Sequence, residues 1–464
     1  MGTTKIQSKE LGRIDRRILP LFATLLAFCP LLVRAQVTIG SGEPPVAGAL
    51  LELTDGARIS SAPLVNAKKG LGMPRVKLTS LTIPAGKTLA QTIDGNVAED
   101  KWDATEHIGL TVYNTNICID GISAAAGLYV WTGDQWQYLG ASSAYPVTDP
   151  RDGNVYLAGN FGAAGDWMLE NMRYIDRSMK AKAADEDWRG RYYLYPQPNG
   201  DIDDKTAHII PDSWRPAYGL LYTYSAATLG QQDTVDYDQG QDNSDPEHPG
   251  AREVEKVYES AKYAYDGKIV GICPRGWHIP SDREWNKLER ELYNHADKYS
   301  TYTPSDLPFK AVYTNGETYE GWQTFWESGT TMNDPENNVQ GGYHARGSTG
   351  DTGHAYAATA DCDCMSAGWS PPSTHRRSKP TIMGGFGAYM VGYANDGRYH
   401  TYNSAAHFWT SSVSIWQNRD VRAWWRTFAT YSNSAEIFRG HQAGWYTPGK
   451  PLTVPLMSVR CVRD

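Results

Sequence analysis

Gly271-Ile272-Cys273-Pro274-Arg275-Gly276-Trp277-His278-Ile279-Pro280-Ser281 is the stretch from which the architecture of this 464-residue chain is read. It ends in a helix start. Ser281 and Glu284 have capping-box spacing, in which the hydroxyl accepts from a free backbone amide and the carboxylate reaches back. Trp285, Leu288, Leu292 and Tyr293 then recur on one helical face, so a helix with a buried stripe follows Pro280. Trp277 and Ile279 read as core anchors delivering the chain into it. Far downstream, Met457, Val459 and Cys461 alternate with Ser458 and Arg460, which is the period of a strand with the first set buried and the second outward. This tail is expected to be a closing strand.

Outward from there, residues 148–464 alternate strand-like runs with helix. A second helix is expected over 251–265, where Val254, Val257, Tyr258, Ala261 and Tyr265 share a face. Residues 231–250 are polar and acidic with little to bury, and read as an inserted loop. Residues 297–383 form a larger Gly/Thr/Asn-rich insertion that should carry hairpins of its own. Upstream, 141–147 is small, polar and Pro-containing, a natural linker. Residues 36–140 read as a β-rich spacer module. In it Gly127-Leu128-Tyr129-Val130-Trp131 and Trp136-Gln137-Tyr138-Leu139 flank a Gly-Asp turn as a hairpin, with Gly109-Leu110-Thr111-Val112-Tyr113 as a further strand.

The N-terminus has the order of a secretory signal. Arg13, Arg16 and Arg17 precede the apolar run 18–33, and Val33-Arg34-Ala35 offers a cleavage site, so residues 1–35 are expected to be removed. The run is short for a membrane span and is broken by Pro20 and Pro30. Cys29 follows Phe28, not the small residue that lipid attachment requires. Cleavage removes six Lys/Arg and two Asp/Glu, leaving 38 against 50 and a net charge of −12 over 429 residues. Such an acidic chain without basic clusters excludes nucleic acid and anionic membrane as partners. No transmembrane segment is expected after cleavage. With 29 Tyr and 16 Trp but 9 Phe, the aromatics suit half-wet surfaces or strands. Cys118, Cys273, Cys362, Cys364 and Cys461 remain; in an oxidising compartment some should pair, with one left over.

From Thr148 on, the sequence resembles the Fibrobacter succinogenes major paralogous domain, a family of exported bacterial modules. The resemblance is carried, in order, by Thr148-Asp149-Pro150-Arg151-Asp152-Gly153-Asn154-Val155-Tyr156, Trp167-Met168-Leu169-Glu170-Asn171-Met172, Tyr218-Gly219-Leu220-Leu221-Tyr222, and the Gly271 to Ser281 block with Glu284-Trp285. Gly384-Gly385-Phe386, Phe408-Trp409-Thr410-Ser411-Ser412 and Ser458-Val459-Arg460-Cys461-Val462-Arg463-Asp464 complete it. It implies an α+β domain: a C-type-lectin-like twisted antiparallel sheet with two flanking helices and termini on neighbouring strands, also similar to formylglycine-generating enzymes. Residues 36–140, through Gly48-Ala49-Leu50-Leu51-Glu52-Leu53, Lys69-Gly70-Leu71-Gly72-Met73-Pro74-Arg75 and Val112-Tyr113-Asn114-Thr115, resemble N-terminal modules of exported Bacteroidota proteins that look like phage tail-fibre shafts. That implies an extended spacer and a possible homo-oligomer. Within this frame a Cys273–Cys461 disulfide would tie the pre-helix loop to the closing strand; two buried thiols are the alternative.

No catalytic centre is expected. The close pair Cys362-Asp363-Cys364, with His354, Asp361 and His375, has no established zinc spacing, so no metal and no cofactor is assigned. Asp236-Tyr237-Asp238-Gln239-Gly240-Gln241-Asp242 alternates oxygen ligands but lacks the bidentate Glu of a calcium loop. The candidate ligand-binding residues are tryptophans: Trp322, Trp326 and Trp369 in the large insertion and Trp416, Trp424 and Trp425 downstream, since aromatic faces stack on sugar rings. Core packing is the competing explanation for each. The expected function is that of a non-enzymatic cell-surface or periplasmic protein whose lectin-like head binds a glycan or a surface protein. The alternatives are a structural subunit of a surface fibre or layer, or an exported enzyme of the formylglycine-generating type.

Overall fold

The structure, a computed structural model, describes residues 37–39, 51–53, 70–98, 100, 102–120, 122–183, 190–230, 253–254, 268–306, 310–312, 318–320, 346–349, 358–359, 378–416, 420–431, 434–441 and 454–464. The chain divides into two units, Met1–Met73 and Pro74–Asp464. In the first, Val37–Ile39 pairs in parallel with Leu51–Leu53. The second is mostly β, with three α-helices among the described residues, an α+β composition weighted heavily towards strand.

At the start of the second unit, strands Arg75–Val76, Thr111–Asn114, Gly127–Trp131 and Trp136–Tyr138 form a four-stranded sheet in that order. The hairpin expected at Thr132–Gln135 is present, with Trp131 opposite Trp136. Its inner face packs Val112, Tyr129, Trp131 and Trp136 against Leu78, Leu89 and Ile93.

A five-stranded sheet carries the tail. Its order is Trp277–His278, Val462–Arg463, Asp166–Met168, Val155–Asn160 and Ala144–Thr148. The last strand of the chain thus slots between two earlier ones, Val462 facing His278 on one side and Trp167 on the other. Residues 141–147, read as a linker, are mostly strand: Ala144–Thr148 is the sheet's outer edge, with Pro146 opposite Leu157. Proline is tolerated at an edge because no further strand needs its missing N–H, so small polar composition misled.

The helix after Pro280 runs Asp282–Asn294 with the full capping box. His278 joins that cap to the tail: its Nδ1 lies 2.8 Å from Asp464 Oδ1 and its Nε2 lies 2.9 Å from Glu284 Oε1. Burial pushes the Glu284 carboxyl up, but the His278 hydrogen bond and charge outweigh it and the net shift is downward. Gly271 opens the preceding loop at φ +49°, where a Cβ would sit 2.2 Å from the Ala227 carbonyl oxygen; only glycine fits that turn. Arg151 reaches the same loop, donating to the Ile272 carbonyl at 2.6 Å while gripping the buried Asp149 carboxylate through Nε and Nη2.

The second expected helix is corrected at Glu253 and Val254 alone, which form a strand opposite Ser414 and Val413; its other residues lie outside the described residues. Pairing with a long strand overrides a helical apolar spacing. A five-residue helix, Tyr224–Thr228, lies earlier in the chain, capped by the Thr223 side chain.

The long strands Ala405–Trp416, Asp420–Tyr431 and Ser434–His441 form a meander. One face, through Phe408, Phe428 and Ile437, packs with Trp285 and Leu288 of the capped helix. There Arg426 and Glu289, both fully buried, pair at 2.6 Å. The opposite face carries Trp409, whose indole donates to the Tyr222 carbonyl at 2.8 Å and meets the Tyr224 ring edge-on.

The stretch 297–383 departs from its reading as an insertion at both ends. Tyr299 and Tyr302 are buried in the core with Phe161 and Trp285, and Ser300 bridges Ser378. Their polar neighbours hid this in the sequence. Further in, Lys310–Val312 and Thr318–Glu320 form a hairpin, and Arg346–Thr349 extends the meander beside Ser434–His441. Residues 1–35 and 231–250 lie outside the described residues.

Cys273 and Cys461 form a disulfide, S–S 2.01 Å, closing 188 residues of separation. Both are fully buried with Met457 and Val459 in one core cluster. The outward assignment of Ser458 and Arg460 is corrected: both are fully buried. The tail runs between two hydrophobic clusters, so both of its sides are interior, and sequence alternation shows only two sides, not which is wet.

Candidate functional site

Where the meander's second face leaves the core, four rings form a row. Adjacent strands place Trp409 opposite Trp425 and His407 opposite Thr427, so these side chains share one face. Toward solvent, the Trp425 and His407 rings lie 6.5 Å apart and 17° from parallel. Tyr393 sits 4.6 Å from His407 and stacks on His400 at 5.1 Å. Tyr393 and His400 are themselves cross-strand partners in the hairpin Tyr393–Asn395 / Arg398–His400. All four rings are half-buried.

One backbone position beside the row is strained. Asp396 and Asn403 also have positive φ, but Asp396 with Gly397 makes a favoured hairpin turn and Asn tolerates this region, whereas Thr401, at φ +54°, is β-branched and a clear outlier. Such strain is held only where the surroundings impose it, and it gathers at functional surfaces. Here Thr401 Oγ1 lies 3.1 Å from His407 Nε2, and Thr427 Oγ1 lies 2.8 Å from His407 Nδ1. The imidazole is thus clamped between two hydroxyls, one donating to it and one accepting. Three buried polar atoms on these segments lack a hydrogen-bond partner among the described residues: Trp425 Nε1, Asn395 Oδ1 and Asn403 Oδ1. A buried donor or acceptor left so costs about 1–3 kcal/mol.

Burial, with the His400 charge adding to it, holds His407 down at about 3. Between pH 6.5 and about 3 the unfolded chain therefore binds a proton that native His407 does not, so this residue's stabilising contribution falls as the solution is acidified. The loss is up to about 1.4 kcal/mol per pH unit. Asp166, Asp176 and Glu284, all held low, act with the same sign. The difference between the wild type and His407→Gln isolates the histidine. Urea unfolding at pH 7, 5.5 and 4.5 should give a shallower acid slope for the variant; parallel profiles would contradict the neutral, clamped imidazole.

Of the tryptophans singled out in the sequence, Trp425 belongs to the row. Trp424, its neighbour, falls by alternation on the opposite face and is also half-buried. Trp416 ends its strand, with its side chain outside the described residues, as are Trp322, Trp326 and Trp369. Cys362, Cys364 and the segment 236–242 also lie outside them. Cys118 is a free, half-buried thiol. Among the described residues no group of three or more His, Cys, Asp or Glu could hold a metal, and no helix is long and apolar enough to cross a membrane. Sequence reasoning missed Tyr393, His400 and His407, which a hairpin and a distant strand bring together. The only available signal was that His407 precedes Phe408-Trp409 with strand alternation.

A mostly-β domain with an embedded tail and an aromatic face defines a class of scaffold, and comparison with known sequences gives its family. The chain belongs to the Fibrobacter succinogenes major domain family, which matches residues 163–463. Residues 38–150 match a phage tail like trimerisation region. Together the two mark a surface or structural protein. No curated protein and no solved structure matches the chain.

Proposed function

We propose that this is an exported surface protein whose 163–463 domain acts as a lectin-like head, binding neutral carbohydrate on the row Trp425, His407, Tyr393 and His400, while residues 38–150 assemble copies of the chain. The observation that carries the reading is the row itself: half-buried rings that a hairpin and the meander bring together, beside the strained Thr401. Ring faces stack on the C–H faces of a pyranose. His407 carries no charge at neutral pH. A neutral glycan therefore fits better than an acidic one. The Cys273–Cys461 disulfide is in keeping with an oxidising compartment.

The test is a neutral-glycan array probed with the full chain, the Trp425→Ala and Tyr393→Ala variants, and urea midpoints to check folding. Retention of at least one glycan, lost tenfold or more by folded variants, supports the reading. No retained glycan, or equal retention by the variants, overturns it. A second reading, a structural subunit of a surface fibre, draws support from the trimerisation match and would show as concentration-dependent polymers on sizing.

A further inference from the structure

The four-stranded sheet buries one face and leaves the other uncovered. On that outer face Tyr113 lies opposite Leu128. Leu139 then follows beside Leu128, its N–H donating to the Leu128 carbonyl at 2.9 Å. Three large apolar side chains so form one row across three adjacent chain segments, and they are 38%, 39% and 52% exposed. Single exposed apolar residues are ordinary, but a row in cross-strand register is an interface feature. At one end Arg75 pairs with Tyr113 across the parallel strands, its guanidinium 5.9 Å from the ring centroid. Of the four residues so aligned, Arg75 alone is charged.

We propose that the row Tyr113, Leu128 and Leu139 is the face through which three copies of this chain meet, with Leu128 and Leu139 toward the three-fold axis and Arg75 at the rim. The occupant is fixed by the match of residues 38–150 to a trimerisation region, which contains every residue of the row. The polarity of the row sets the axis. Three Arg75 side chains converging on it would repel, whereas three Leu128–Leu139 edges bury apolar area, and a closed cyclic trimer needs such a shared centre. Among the other exposed apolar residues of this module, Val97 at 54% and Ile108 at 58% lie outside this row.

The inference rests on the assembly reading above, and one experiment separates their failures. Analytical ultracentrifugation of the full chain should give a trimer. Leu128→Glu and Leu139→Glu should sediment as monomers at the same concentration, with an unchanged far-UV spectrum, while Val97→Glu stays trimeric. A milder variant, Leu128→Ala with Leu139→Ala, should shift the trimer–monomer midpoint at least tenfold upward in concentration, which covers the case of a charged variant that misfolds. A monomeric wild type sinks the assembly reading itself. A trimer that all four substitutions leave intact sinks this face alone.

Discussion

Arg460→Met should destabilise the chain by about 3–5 kcal/mol, the cost of breaking up a fully buried charged hub. Arg460 Nε donates to Asn171 Oδ1 at 2.9 Å, and its two terminal nitrogens donate to the carbonyls of Phe386 and Gly387 at 2.6 Å each. Its guanidinium lies over the Phe386 ring at 4.5 Å. Asn171 in turn donates to the Tyr218 carbonyl at 2.9 Å and to Ser458 Oγ at 3.2 Å. Burial pushes the guanidinium down to about 10, which leaves it charged at neutral pH. Methionine fills much of the volume but strands three acceptors inside, each worth about 1–3 kcal/mol. Arg460→Lys keeps the charge and loses the fork, so it should fall between wild type and Met. Equilibrium urea unfolding reads both, with the exposed Arg463→Met as a control that should move the curve little. An Arg460→Met midpoint equal to wild type would show that the hub does not hold the tail.

The second large effect belongs to the disulfide. Cys273→Ser with Cys461→Ser, or reduction of the wild type, should cost about 2–5 kcal/mol, because the bond restrains a long loop in the unfolded chain. Both sulfurs are fully buried, so substitution also leaves hydroxyls in an apolar cluster with Met168, Met172 and Ile272. Reduction of the wild type lacks that second penalty, and the gap between the two experiments measures it. Oxidised and reduced wild type with the same urea midpoint would contradict the account. Arg460 and Cys461 are adjacent and hold the same tail, so their effects should not simply add, and a double-mutant cycle measures the coupling.

These residues also show what was legible beforehand. The capped helix was readable because its signals are local: Ser281 and Glu284 mark the start, and Trp285, Leu288 and Leu292 repeat within a few turns. The tail's place beside Trp277 and His278 followed from strand alternation and from the family resemblance. That Arg460 is interior did not follow. Its burial depends on Asn171, Phe386 and Gly387, which are between 73 and 289 residues away in sequence. The edge strand at Ala144–Thr148 was hidden by Pro146, and the strand at Glu253–Val254 by an apolar spacing that also suits a helix. Of the ring row, only Trp425 stood out, as an aromatic residue. Tyr393, His400 and His407 become neighbours through the cross-strand pairs of a hairpin and the joining of that hairpin to the meander at Gly392 and Ala406.

The most direct test of the binding surface is calorimetric titration of the full chain with the best neutral glycan from the array, comparing Trp425→Ala with Trp424→Ala. The two tryptophans are sequence neighbours on opposite faces of one strand, so loss of bulk is matched and only placement differs. The account predicts that Trp425→Ala weakens binding tenfold or more while Trp424→Ala stays within twofold of wild type. Equal affinities for the two variants, or a larger loss from Trp424→Ala, would contradict it.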